Sequence, residues 1–326
     1  MNPHRLSVFL EVARSGSVRG AADRLVVSQP AVTAAVRALE GDLRVSLVAR
    51  QGRGIVLTSA GQVLAAYAAR VLGLLEEARA AVEEAAEPGR GRVRLAAVTT
   101  AGEHVLPPLI KEFRSRFPEV EIALEVGNRR LVWDRLRDRE ADLAVAGRPP
   151  PGLSGEPFLP NDLVLVGPAD MSLPREPAQP ADVAAVTWLL REPGSGTRAT
   201  AEEFIAEMGI SPPSLTLGSN GAIVASVALG LGVTLISSAA VQKEMAAGTI
   251  RILAVRGLPL RRQWHVVTRQ GERPHEAPLR FLEFLRSASR PEPASSRERP
   301  AIERGRRLGR GSEPGPSGPP PRRVRA

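Results

Sequence analysis

The stretch from Ser17 to Glu40, SVRGAADRLVVSQPAVTAAVRALE, constrains the possible fold more than any other. Ser17 can cap a short helix over 18–25, and Ser28 can cap a second helix that carries Pro30 in its first turn, where proline is tolerated. The second helix has an apolar stripe at helical spacing, formed by Val32, Val36 and Leu39. Two short helices with a tight connection and a small, polar, basic outer face predict a helix-turn-helix, whose second helix enters the major groove of DNA.

A basic loop after this motif predicts a wing. Residues 50–54, RQGRG, precede the β-like residues 55–57, so a hairpin tip is expected that lies along the minor groove or the DNA backbone. For any single arginine here, a solvated surface charge remains the alternative. The predicted DNA-contacting residues of the motif and its wing are Ser28, Gln29, Pro30, Thr33, Arg37, Arg50 and Arg53.

Many residues of the first sixty together resemble the N-terminal signature of LysR-type transcriptional regulators. They are Ala21-Ala22, Leu25, Ser28-Gln29-Pro30-Ala31-Val32, Leu39-Glu40, Leu43, Leu47, Arg50 and Leu57-Thr58-Ser59-Ala60-Gly61. A run of matches carries more weight than one motif, and the alternative is a helical hairpin of another domain.

The sequence also departs from the family pattern. Arg44, Ser46 and Val48 stand where the family commonly has Gly, Pro and Phe, and positions 34 and 35 are both alanine. Base reading is therefore expected to depend more on Gln29, Thr33 and Arg37 and on DNA shape.

The charge of the chain is concentrated at its two ends. The formal net charge is +9; residues 1–60 hold eight arginines against four acidic residues, and residues 287–326 hold ten against four. A basic N-terminal module suits contacts with phosphates. There is no cysteine, no apolar N-terminal run typical of a signal peptide and no apolar stretch long enough to span a membrane, so we expect a cytoplasmic protein with no membrane partner.

A long helix is predicted from Thr58 or Ser59 to about Ala86, before Pro88-Gly89. It carries a wide apolar seam that a solitary helix would leave exposed to water. By the resemblance, this is the linker helix through which such regulators dimerise; packing on its own domain is the alternative. The seam consists of Val63, Leu64, Tyr67, Val71, Leu74, Leu75, Ala78 and Val82.

Beyond residue 88 strands and helices alternate, which predicts α/β structure with a mostly parallel sheet. The resemblance implies a two-lobed effector-binding domain built like periplasmic binding proteins. The predicted organisation is an all-α winged helix-turn-helix over 1–58, a linker helix over 59–88, an effector domain over 89–286 and a disordered basic tail over 287–326, which holds eight prolines. Within the effector domain, lobe I is expected over 91–161 and 266–286 and lobe II over 162–265.

Ligands of open α/β sheets bind beyond the carboxyl ends of strands, where helix N-termini supply free N–H groups. Four segments qualify, and together they predict a small anionic effector gripped from both lobes, with no other cofactor. For Thr100, Ser195 and Ser219 taken singly, helix capping is the alternative. The predicted effector-binding residues are Thr99, Thr100, Arg148, Ser195, Gly196, Thr197, Arg198, Ser219 and Asn220.

Two segments, TTAGEHVLPPL at 99–109 and LLREPGSGTR at 189–198, narrow the resemblance. They are similar to the branch that regulates carbon-fixation operons and sulfite-related genes, whose effectors are phosphorylated or oxyanionic metabolites. The implied partners are double-stranded DNA with a dyad operator, a second copy of the chain in a dimer or tetramer, and RNA polymerase for an activator.

Two other functional classes are alternatives for this sequence. The two lobes also fit a solute-binding or transport component, but the helix-turn-helix and the missing signal peptide argue against it. An enzyme is not expected, because the sequence shows no metal-ligand cluster, nucleophile elbow or phosphate-binding loop; PGSGTR lacks the lysine and spacing of a P-loop.

Overall fold

A computed structural model of the chain describes residues 1–52 and 54–288. The N-terminal part is the predicted winged helix-turn-helix, with the three helices α1, α2 and α3 followed by an antiparallel hairpin of β1 and β2. Ser17 and Ser28 cap α2 and α3, as expected. The bounds are Pro3–Ser15 (α1), Val18–Leu25 (α2), Gln29–Leu43 (α3), Val48–Gln51 (β1) and Gly54–Leu57 (β2).

Helix α1 separates two small cores of the DNA-binding half. On one side, Phe9 packs on Leu39 and Leu47. On the other side, Val12 packs on Val32 of α3 and on the buried alanines of α2. Leu43 ends α3 and is 38% exposed, whereas Leu47 returns to the core and is 1% exposed. The core side chains of α3 follow the helical period read from the sequence.

Val26 occupies the turn between α2 and α3 in a left-handed conformation, with φ of 55° and 90% of its surface exposed. A β-branched residue in this region is strained by about 1–2 kcal/mol, and almost no burial compensates. We therefore expect Val26→Gly to raise the free energy of unfolding by about 0.5–1 kcal/mol, the gain being reduced by the larger entropy of glycine in the unfolded chain. Thermal and urea unfolding measure this, and the matched Val27→Gly, which has no left-handed φ to relieve, should destabilise; a loss of stability in both variants would contradict the account.

A single long helix, α4 (Ser59–Ala86), follows the wing, capped by Thr58. One face of α4 packs on the DNA-binding half through Leu64, Ala68 and Ala69. The rest of the predicted seam is open in the single chain, with Tyr67 62% and Val82 69% exposed. A long apolar face without a partner in its own chain favours pairing with another molecule.

Lobe I is built on one five-stranded sheet in the order β4-β3-β5-β12-β6, with helices α5, α6 and α10 on its faces. Strand β3 is parallel to β4 and β5, while β12 is antiparallel to β5 and β6. The bounds are Gly91–Val98 (β3), Leu106–Arg116 (α5), Val120–Gly127 (β4), Arg129–Arg137 (α6), Leu143–Ala146 (β5), Leu153–Pro160 (β6), Gln263–Arg269 (β12) and Glu276–Ala288 (α10). The chain returns to lobe I at residue 263, earlier than the predicted boundary at 266.

Lobe II lies between the two crossings and holds two small sheets. The β8-β9 pair is parallel, but the β10-β7-β11 sheet is antiparallel throughout, which corrects the expectation of a mostly parallel sheet. Alternation of strands and helices does not fix the direction of a strand such as β7, which enters directly from lobe I. The bounds are Leu163–Pro168 (β7), Trp188–Leu190 (β8), Gly196–Glu207 (α7), Ser214–Thr216 (β9), Asn220–Ala228 (α8), Thr234–Ser237 (β10), Gln242–Ala246 (α9) and Ile250–Ile252 (β11).

Two predictions fall largely or wholly outside the described residues. The basic tail was expected over 287–326, of which only the first two residues are described, at the end of α10. The predicted DNA contact Arg53 is the other. Among the described residues, no helix combines the length and the apolar character needed to cross a bilayer.

Candidate DNA interface and effector cleft

The outer face of α3 carries the predicted DNA-reading residues. Gln29, Thr33 and Arg37 follow one another at intervals of about one helical turn, in a row beside the buried stripe that holds Val32 and Val36. Gln29 and Arg37 are exposed, and within the described residues neither side chain makes a hydrogen bond or ion pair, so both are available to base edges or phosphates. This is the arrangement with which a recognition helix enters a major groove.

Three other predicted residues shape this end of α3. Ser28 caps the helix by accepting from the N–H of Ala31 at 3.4 Å, and Pro30 lies in its first turn. Thr33 donates to the carbonyl of Gln29 at 3.0 Å. These contacts fix the helix start, which aims the N-terminal end of α3 outward.

The wing carries one further exposed cation. Arg50 is exposed on β1, in register with Ile55 across the hairpin. Its position fits a contact with the DNA backbone or minor groove, and the predicted contact Arg53 lies outside the described residues.

A cavity of about 760 Å³ lies between the two lobes. It is bounded by the ends of β3 and β5, by the N-terminal ends of α6 and α7 and by both segments that cross between the lobes. Of the predicted effector residues, four line this cavity: Thr100, Arg148, Gly196 and Thr197. The predicted meeting of strand ends and helix N-termini at one cleft is therefore what the fold produces.

Positive charge dominates the wall of this cavity. Four arginines line it together with His265, against one carboxylate, Asp162. Only one of the four, Arg262, forms an ion pair, with Glu203 at 3.4 Å. The other three, which have no ion-pair or hydrogen-bond partner among the residues that the structure describes, are Arg129, Arg148 and Arg261.

Five of the predicted effector residues, Asn220 among them, do not line the large cavity. Ser195 and Ser219 cap α7 and α8, accepting from Arg198 N at 3.5 Å and Ala222 N at 3.1 Å. Arg198 turns away to pair with Glu202 at 2.7 Å. The hydroxyl of Thr99 donates to the carbonyl of Gly127 at 3.3 Å. Their polar atoms are thus occupied by structural contacts in this arrangement.

A buried polar chain joins the lobes beside the cavity. Asn220 at the start of α8 donates to the hydroxyl of Thr100 at 3.0 Å, across the gap between lobe II and lobe I. The Asn220 carbonyl oxygen accepts from the buried Arg191, whose Nε donates to Glu192 at 2.8 Å. Thr100 and Asn220 therefore hold the lobes together rather than facing the open cavity with free polar atoms.

Sequence reasoning missed several residues in and beside the cavity. Arg191 directly follows β8, and its burial was not visible in the motif that contains it. Arg261 and Arg262 lie on the crossing segment and follow no strand end directly, whereas Arg129 comes two residues after β4, at a strand end outside the four predicted segments. The missed residues are Arg129, Arg191, Arg261 and Arg262, together with Asn161, Asp162 and His265.

This combination of a winged helix-turn-helix, a linker helix and a two-lobed effector domain defines a class of DNA-binding transcriptional regulators. Residues 3–62 match the family described as bacterial regulatory helix-turn-helix protein, lysR family, and residues 86–290 match the LysR substrate binding domain. The chain belongs to the LysR family. The predictions of a LysR-type regulator that is not an enzyme are confirmed.

Its curated relatives include regulators of carbon-fixation genes, as the motifs had indicated. The HTH-type transcriptional regulator CbbR of Xanthobacter flavus is 38% identical over 87% of this chain and 88% of its own length. The RuBisCO operon transcriptional regulator of Acidithiobacillus ferrooxidans is 35% identical over 88% of this chain and 94% of its own length.

Solved structures of similar proteins support the same family assignment. The regulatory domain of Synechocystis CcmR, determined in complex with 2-PG, is 30% identical with a TM-score of 0.59, covering 62% of this chain and 99% of that domain. Full-length CbnR in complex with its target DNA is 25% identical with a TM-score of 0.63, and the match covers 88% of this chain and 100% of the CbnR chain. The class of the protein and its two-lobed effector domain are thereby established.

Proposed function

We propose that this regulator responds to a small multiply charged anion, such as a phosphorylated carboxylate, bound in the cavity between its lobes. The observation that carries the proposal is the set of three unpaired arginines, Arg129, Arg148 and Arg261, around one cavity. The three side chains are exposed on the cavity wall, where their like charges repel one another, and a bound anion relieves that repulsion with charge-assisted hydrogen bonds.

The wall opposite these arginines adds neutral donors. Gly196 and Thr197 form the first turn of α7, where backbone N–H groups are unpaired and the helix dipole favours negative charge. A ligand that contacts α7 from lobe II and Arg148 from lobe I favours closure of the lobes. The 2-PG bound by the CcmR domain, a relative over the same part of the chain, has this chemistry.

The DNA-binding half supports specific operator recognition by α3 and the wing. We propose contacts from Gln29, Thr33, Arg37 and Arg50, with Ser28 and Pro30 setting the helix start and Arg53 adding a backbone contact. The exposed apolar seam of α4 supports a dimer formed through this helix, whose symmetry would match a dyad operator. Such a regulator acts in the cytoplasm and, where it activates, contacts RNA polymerase.

Substitution of Arg148 tests the effector site. We expect Arg148→Gln to weaken binding of 2-phosphoglycolate by about 10- to 100-fold, because a hydrogen bond to a charged group contributes roughly 1.5–3 kcal/mol. Isothermal titration calorimetry measures the loss, and fluorescence anisotropy on the upstream DNA of the gene measures the shift in operator affinity. The matched control is Arg114→Gln, an exposed arginine of α5 in the same lobe and outside the cavity. Equal anion affinity in both variants would contradict a site at Arg148.

A further inference from the structure

Helix α6 extends through lobe I from the effector cavity to the DNA-binding half of the chain. At its N-terminal end Arg129 lines the cavity, and Asn128 caps the helix by accepting from Leu131 N at 3.0 Å. Gly194 and Gly196, at the start of α7 in lobe II, lie against this end. A Cβ on Gly196 would be 3.7 Å from Cδ of Arg129, and one on Gly194 would be 3.8 Å from Nδ2 of Asn128. This end of α6 therefore adjoins both the cavity and lobe II.

The turn after α6 packs against the linker helix. Arg139 has a left-handed φ of 59° and brings its backbone onto Gly73 of α4. A Cβ on Gly73 would lie 2.4 Å from Cβ of Arg139 and 2.6 Å from the carbonyl oxygen of Asp138. One helical turn further along α4, Glu77 accepts from Nη1 of Arg139 at 2.7 Å. The two backbones approach so closely that only glycine fits at position 73.

The same turn contacts the DNA-binding domain itself. Glu140 accepts from Arg14, at the C-terminal end of α1, and from Arg135 of α6. Arg269 of β12 secures this end of α6, donating to the carbonyl of Ala141 at 2.9 Å and to Glu77 at 3.0 Å. One short segment of lobe I thus contacts α1 and α4 together.

We propose that residues 138–140, the docking turn, are the intramolecular surface through which lobe I sets the position of the DNA-binding domain. Because a helix moves as one packed element, a displacement of the N-terminal end of α6 by a ligand or by lobe II is carried to the docking turn. Gln29 and Arg37 stay exposed in the docked arrangement, so docking orients the recognition helix without covering it. The link from cavity to turn depends on the proposed anion effector; the docking contact does not.

Two substitutions outside the DNA-binding domain test the docking turn. Glu140→Gln weakens the contact with Arg14, and Gly73→Ala pushes the linker helix off Arg139. For the wild type we expect 2-phosphoglycolate to change operator affinity by a factor of about 5–150, the usual range of allosteric coupling. In each variant this factor should fall to within about twofold of one, and the DNA footprint and bend should change even without metabolite.

Matched controls separate docking from general effects of the substitutions. Glu112→Gln removes an exposed glutamate of α5 whose ion-pair partner among the described residues is Arg116 of the same helix. Gly221→Ala alters a helical glycine of α8 whose added Cβ would meet no atom within 4 Å. Both controls should keep the wild-type coupling factor, footprint and bend.

The outcomes distinguish the two proposals. A wild-type coupling factor in both variants overturns the docking turn as the connection. If the wild type itself ignores the metabolite, the effector proposal fails, and the footprint decides: a change in Glu140→Gln and Gly73→Ala supports docking, and an unchanged footprint overturns it. Should Gly73→Ala fail to fold by circular dichroism, the conservative Glu140→Gln carries the same test.

Discussion

Gly61→Ala is expected to destabilise the DNA-binding half by about 3 kcal/mol, at the upper end for an overpacked site. A Cβ at this position would lie 2.0 Å from the carbonyl oxygen of Leu47 and 2.9 Å from its carbonyl carbon. Leu47 cannot retreat easily, because its side chain is 1% exposed and its carbonyl accepts from Thr58 N at 3.0 Å. The roughly 1 kcal/mol that alanine gains over glycine within a helix is too small to offset this clash.

Urea unfolding followed by circular dichroism, together with operator binding, measures the loss. Operator affinity should fall with stability, because α4 and the wing would separate at the contact between Gly61 and Leu47. The matched control is Gly221→Ala, whose Cβ enters open space and which should be neutral or slightly stabilising. Equal unfolding midpoints for the two variants would show that the α4–Leu47 contact yields more readily than its geometry indicates.

Glu84→Gln should lower the free energy of unfolding by about 3 kcal/mol, the lower end of the range for breaking a buried ion pair. Glu84 near the end of α4 is 4% exposed and accepts from Nδ1 of His275 at 2.8 Å. Nε2 of His275 lies 3.8 Å from the buried carboxylate of Asp142, which Arg94 pairs with at 2.5 Å. Glu84, His275, Asp142 and Arg94 thus form a row of largely buried charged groups. Removing one charge from this row leaves the others buried and incompletely compensated.

The same row predicts a pH dependence with a definite sign. Burial alone would lower the pKa of His275, but Asp142 and Glu84 outweigh it and raise that pKa above 6.5. Because the folded pKa exceeds the unfolded one, this stabilisation is fully present below pH 6.5 and is lost as pH rises through the folded pKa. The wild type should therefore lose unfolding free energy relative to His275→Gln as pH rises through this range.

For Asp142, burial alone would raise the pKa, but contacts with His275 and Arg94 outweigh it and lower that pKa. Its stabilisation is present above the unfolded pKa and is lost only as pH falls through the lowered value, well below the histidine range.

Guanidinium unfolding from pH 6 to 9 isolates the contribution of the histidine to the free energy of unfolding. Glu87→Gln is the control, since that glutamate pairs with Arg90 at the exposed end of α4; a wild-type slope retained in Glu84→Gln would contradict the assignment.

Local patterns predicted the DNA-binding half well because the forces that form it act over a few residues. Ser17, Ser28 and Thr58 cap the helices that follow them, as their side-chain chemistry predicts. The stripe of Val32, Val36 and Leu39 is buried, since helical periodicity alone places these residues on one face. The exposed Leu43 shows the limit, because periodicity does not say where the packing partner ends.

The effector cleft was predicted in outline and corrected in detail. Strand ends and helix N-termini do converge, since parallel strands present the same ends at one edge of a sheet. Whether a serine there caps its helix or faces a ligand depends on side-chain direction, and Ser195 and Ser219 cap. The cavity arginines at 129 and 261 come from segments distant in sequence, which only the crossing of the lobes brings together.

The amino-acid sequence by itself determined the family, the order of the domains and the cap residues, because these depend on local propensity and on motifs of adjacent residues. Only the tertiary structure decided the antiparallel sheet of lobe II, the unpaired arginines of the cavity, the need for glycine at 61 and 73, and the contact of Glu140 with Arg14. Each of these is a meeting of residues far apart in the chain, and no local pattern encodes which distant backbone or charge a side chain will meet.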